Sequence, residues 1–82
     1  MNIPWYDFEG RWKVVTIAGG HALLAGPEVS FLQACTHLRR ALGQRPSVMA
    51  AYEVPEEFVS EYRDMYEAKG LFIEGVEVGD GL

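Results

Sequence analysis

Nine of the twelve carboxylates in this chain lie after Leu42, against three basic residues in the same stretch. Glu57, Glu61 and Asp64 recur at helical spacing, with Glu67 one step further along the same side. On a helix, neighbours three or four apart stand about 5–6 Å from one another, and like charges at that distance cost a few tenths of a kcal/mol per pair. A row of this kind either solubilises a small domain or meets a surface rich in lysine and arginine, including one built for phosphates. Residues 1–42 carry three acids and four bases, so the negative charge is segregated along the chain.

Other constellations point to less chemistry. Cys35 and His37 are two apart, which on a helix sends them to roughly opposite sides, where they cannot share a metal or a proton. Cys35 also falls on an apolar stripe, where a cysteine behaves as a small inert hydrophobe. His21 follows the Gly19-Gly20 pair, which reads as turn chemistry: it sits between two predicted strands and lacks the lysine of a phosphate-binding loop. Glu53 and Glu57 form no acid pair within a pocket-forming motif. Arg39, Arg40 and Arg45 make a basic cluster too small for a nucleic-acid footprint, although another copy's acidic helix could meet it in a dimer. These readings predict no catalytic residue, no metal and no cofactor. Trp5, Tyr6, Phe8 and Trp12 place four large rings within eight residues. Such rings either close a small core or serve as binding anchors, with Trp5 and Tyr6 the candidates for the second role.

The elements that would position these groups follow from local signals. The first ten residues, ending at Gly10, are expected to pack across the domain edge. WKVVTIA (12–18), Gly19-Gly20 and HALLA (21–25) predict a hairpin. A helix follows, starting either at Pro27 or at Ser30, whose spacing to Gln33 is that of a capping box. Phe31, Cys35, Leu38 and Leu42, with Leu32 beside them, form its apolar stripe, Arg39 and Arg40 its last turn, and Gly43 its C-cap. SVMAAYEV (47–54) predicts a mostly apolar, central strand. Pro55 opens a second helix with Glu56 and Glu57 in its first turn, Lys69 in its last and Gly70 after it. Phe58, Tyr62, Met65 and Tyr66, with Val59, are its expected buried stripe, opposite Glu57, Glu61, Asp64 and Glu67. LFIEGVEV (71–78) predicts a last strand with a bulge or edge position at Gly75, and GDGL a frayed tail. The fold class expected is α+β in the order ββαβαβ, a small, mostly antiparallel sheet with two helices on one face, in one domain spanning residues 1–82.

At 82 residues, 49 % hydrophobic and 23 % charged, with a formal net charge of −5, the chain has ordinary globular composition. Its single cysteine excludes an internal disulfide and suits a reducing compartment. The start MNIPWYDFEG lacks the apolar core of a signal peptide, and no apolar run reaches the roughly 20 residues of a membrane span. A cytoplasmic protein with no membrane partner is expected, and its acidity argues against direct contact with nucleic acid. The segment YDFEGRWKVVTIAGGHALLAGP looks like the strand region of the small chaperones of peptide-synthesising megaenzymes, but the further tryptophans of that family do not follow Trp12, and the chain is not assigned to it. In size, acidity and lack of catalytic motifs the chain is similar to phage-encoded inhibitors of bacterial defence, notably anti-CRISPR proteins, and also to immunity proteins and antitoxins. That resemblance implies a non-enzymatic inhibitor that docks on a basic surface of a protein or ribonucleoprotein complex. Glu57, Glu61, Asp64 and Glu67 are the expected charged contacts, and Trp5 or Tyr6 the apolar anchor. A small homo-oligomeric assembly subunit is the alternative.

Overall fold

The computed structural model of the protein describes residues 5–75. A 3₁₀ helix over Trp5–Phe8 leads into the predicted hairpin, β1 (Lys13–Ile17) and β2 (Ala22–Ala25). Gly19 and Gly20 take φ of +106° and +87°, the left-handed region that a side chain would oppose. Helix α1 covers Phe31–Leu42, and Ser30 is its cap. Ser30 Oγ accepts from the Gln33 amide at 3.2 Å, while Gln33 Oε1 accepts from the Ser30 amide at 2.9 Å, so two otherwise orphaned donors are satisfied reciprocally. After β3 (Met49–Glu53), Pro55 leads not into an α-helix but into a 3₁₀ turn over Glu56–Phe58, and helix α2 runs from Val59 to Ala68. Strand β4 is Phe72–Ile73. The rest of the predicted last strand, from Val76, and the GDGL tail lie outside the described residues.

The four strands form one sheet in the order β3-β1-β2-β4. The α+β class and the element order ββαβαβ hold, but three finer expectations do not. Strand β1 is antiparallel to both β2 and β3, whereas β2 and β4 are parallel, so the sheet is mixed rather than mostly antiparallel. Strand β3 lies at an edge, not in the centre. The two helices, finally, pack on opposite faces instead of sharing one. Alternation along the strands separates the faces. Val15, Ile17, Leu23, Ala25 and Ala51 join Ala34 and Leu38 of α1 in one core; Leu24 and Trp12 join Val59 of α2 in the other, with Val14, Tyr62, Tyr66 and Phe72 packed against it.

Topology explains the two-sided arrangement. Strands β2, β3 and β4 all point the same way, so β2–α1–β3 and β3–α2–β4 are both crossover connections between parallel strands. The first crosses β1 in one direction; the second crosses back over β1 and β2 in the other. Crossovers of one hand that travel in opposite directions put their helices on opposite faces, and the right hand is overwhelmingly preferred. With both faces covered, β1 and β2 carry adjacent apolar pairs, Val14-Val15 and Leu23-Leu24, in place of strict alternation.

Strand β4 comes so close to the end of β2 that Gly26 cannot carry a side chain without a shift. The Gly26 amide donates to Ile73 O at 2.9 Å, and a Cβ on it would lie 3.1 Å from Glu74 Cα and 3.2 Å from Glu74 Cγ. Gly26→Ala is therefore expected to push β4 outward and to cost about 1–3 kcal/mol, against roughly 0.4–1 kcal/mol gained from a stiffer unfolded chain. Urea denaturation of the two proteins checks it.

Candidate functional site

Glu57, Glu61, Asp64 and Glu67 are all exposed. Glu57 stands in the 3₁₀ turn and the other three on the outer side of α2, where the burial of Val59 against the sheet directs them to solvent. The basic residues that share α2 or follow it are committed elsewhere. The Arg63 guanidinium lies over the rings of Trp12 at 5.3 Å and Phe72 at 5.7 Å, which themselves stack at 6.2 Å, and its Nη2 is 3.9 Å from Glu74. Lys69 sits 6.0 Å above the Tyr66 ring. Among the described residues none of the four acids has an ion-pair partner, while Glu53 is held by Arg11 at 3.1 Å in an exposed pair.

Half of the stripe expected to be buried beneath these acids is not. Tyr62 and Tyr66 are half-buried, but Phe58 and Met65 are exposed, as is Tyr52 on the neighbouring strand. At about 100° per residue Met65 falls roughly 120° from Val59, at the margin of the stripe, and the sheet covers the Val59 side. The remainder walls a hollow of about 370 Å³ lined by Val14, Tyr52, Val54, Tyr62, Met65 and Tyr66. Burial, and to a lesser degree the neighbouring Tyr62, pushes the Tyr66 hydroxyl above its ordinary pKa of 10.0. Met65 adjoins Asp64 and lies one turn from Glu61, so the carboxylates rim an apolar shoulder. Periodicity places Phe58 and Met65 in the buried stripe and assigns Tyr52 no role; their exposure follows from where the sheet ends beneath α2.

The aromatic N-terminus divides. Phe8 and Trp12 are buried and Tyr6 is exposed at 69 %. Trp5 is half-buried: its Nε1 donates to Val29 O at 3.1 Å, its ring meets Phe31 edge-on at 5.6 Å, and it packs against the α1 core. Trp5 thus belongs to the face of the sheet opposite α2, and the structure does not unite it with the acidic row. Cys35 is half-buried, and its thiol contacts Met49 Sδ at 3.3 Å. Burial raises its pKa above the ordinary 9.0, which disfavours the thiolate a nucleophile needs. No hydrogen bond joins Cys35 to His21 or His37 among the described residues, and no group of three or more His, Cys, Asp or Glu there could hold a metal ion. No helix of that region is long and apolar enough to cross a membrane. Comparison of the chain with protein-family models, with curated proteins and with solved structures found no match.

Proposed function

We propose that this protein is a non-enzymatic binding protein that inhibits by docking the outer side of α2 on a basic surface of a larger complex. The observation that carries this reading is a row of four exposed carboxylates, without ion-pair partners among the described residues, bordering an exposed apolar shoulder. Charge of this kind steers association and sets specificity, while the ring and thioether surface supplies area to bury. Phe58, Met65 and Tyr52 take over the anchoring role expected of Trp5, and Tyr6 remains an exposed candidate outside the row. The most concrete form of the proposal is an anti-CRISPR-like inhibitor, since the nucleic-acid channels of such effectors are lined with positive charge. An immunity protein or antitoxin facing a basic toxin surface would use the same contacts, and the identity of the captured partner separates the two.

The test is capture from lysate of cells that carry the gene, at low and high salt, with the wild type and the E57K/E61K/D64K variant. A basic partner should be retained at low salt, released at high salt, and lost by at least about tenfold in the variant. All three positions are exposed, so the variant should keep its fold, which circular dichroism verifies. Salt-independent retention by the triple variant would sink the proposal.

A further inference from the structure

The opposite side of the molecule has a second exposed surface, of the other charge. Between α1 and the edge strand β3 runs a groove of about 650 Å³. Phe31, Leu32 and Val48, all large and exposed, stand on its walls, and Cys35, Met49 and Ala51 lie along its floor. Three exposed apolar side chains around one groove form a contiguous patch of the kind that marks an interaction site. Arg39, in the last turn of α1, and Arg45, in the loop leading to β3, close one end. Neither has an ion-pair partner among the described residues.

The groove runs beside β3, an edge strand of the sheet. The Ala18 amide donates to Val48 O and the Val54 amide to Trp12 O. Residues 48, 50, 52 and 54 therefore turn their backbone groups toward β1, and those of Met49, Ala51 and Glu53 point outward. Among the described residues no strand pairs with that edge. A helix docked here would leave these donors and acceptors unmatched, whereas an extended peptide would satisfy them.

We infer that the α1–β3 groove binds an extended peptide, added as a fifth strand antiparallel to β3, with apolar residues at alternate positions and a carboxylate at its C-terminal end. The polarity follows from the charges: both arginines lie where β3 begins, which is where an antiparallel strand finishes. Every second side chain of such a strand enters the groove beside Met49 and Ala51, and the acidic side chain at its C-terminal end meets Arg39 and Arg45. This surface is independent of the acidic side of α2.

The test is selection of random eight-residue peptides with free C-termini on the full chain, followed by titration of synthetic versions of the enriched sequences by fluorescence anisotropy. The expected winners alternate apolar residues and end in an acid. Their affinity should fall at least about tenfold in R39E/R45E, be abolished by N-methylation of the amides that face β3, and be unchanged in E57K/E61K/D64K. Amide resonances of residues 48–53 should shift on binding. No enrichment, winners without an acid, or equal affinity for R39E/R45E would overturn the inference. So would light scattering that shows copies associating until R39E/R45E separates them, or an affinity that emerges only after removal of residues 76–82, since these outcomes give the groove to a second copy or to the chain itself.

Discussion

Leu38→Ala should remove about 3 kcal/mol of stability, whereas Leu32→Ala, six residues earlier on the same helix, should change it by less than about 0.5 kcal/mol. Leu38 is fully buried, between α1 and the sheet, in the core that holds Val15, Leu23 and Ala51. Truncation removes its transfer free energy and leaves a cavity that neighbours on a four-stranded sheet can only partly fill. Leu32 is 69 % exposed and already in water. A protein of this size has on the order of 8 kcal/mol to lose, so the first change takes more than a third of it and should lower Tm by roughly 15 °C. Thermal denaturation followed by far-UV circular dichroism checks both. Equal effects would mean that α1 is rotated about its axis relative to the sheet.

The contrast marks where sequence reading stops. Phe31, Leu32, Cys35, Leu38 and Leu42 all fit one stripe by periodicity, yet the sheet covers only its middle, and Ala34, too small to weigh in the pattern, is buried at the contact. Local signals were legible because their causes are local: the glycine pair forces the hairpin turn, Ser30 and Gln33 close the capping box, and Gly43 ends α1 at φ +75°. Strand order and helix sidedness depend on which strands pair across tens of residues, and an apolar stripe on a helix is the same whichever face of a sheet it meets. One clue was present. Val14-Val15 and Leu23-Leu24 break the alternation that a sheet covered on one side would show, and so imply helices on both. Of the candidate site, the four acids were legible as a row, because charge on a helix needs only spacing. The apolar shoulder beside them was not, because exposure of Phe58 and Met65 depends on how far the sheet extends beneath α2.

Lys13 is the residue on which burial and charge conflict, and it carries the largest expected single effect. It is 1 % exposed, with Nζ donating to Gly26 O at 3.1 Å and lying 4.9 Å from the centre of the Trp5 ring. Among the described residues no carboxylate accompanies it. Burial lowers its pKa from the ordinary 10.5, since desolvation penalises the charged form. Lys13→Met keeps the aliphatic bulk and removes the charge, and Gly26 O retains the Val29 amide at 3.3 Å as a donor. The loss of the cation–π contact offsets part of the gain, and a net stabilisation on the order of 1 kcal/mol at pH 7 is expected. Lys13→Glu instead buries a carboxylate against that carbonyl and should cost about 4 kcal/mol or more. The pH dependence isolates the cause. Between the lowered pKa and 10.5 the unfolded chain binds a proton at Lys13 that the folded protein does not, so wild-type stability rises with pH across that window. Below it both states are charged and the full desolvation cost is present. The methionine variant lacks this titration while sharing every other, so its advantage should be greatest near neutral pH and shrink as pH climbs toward 10.5. Urea midpoints of both proteins at pH 7 and pH 10 measure it. An advantage that grows with pH would mean that Trp5 and Gly26 stabilise the ammonium more than burial opposes it.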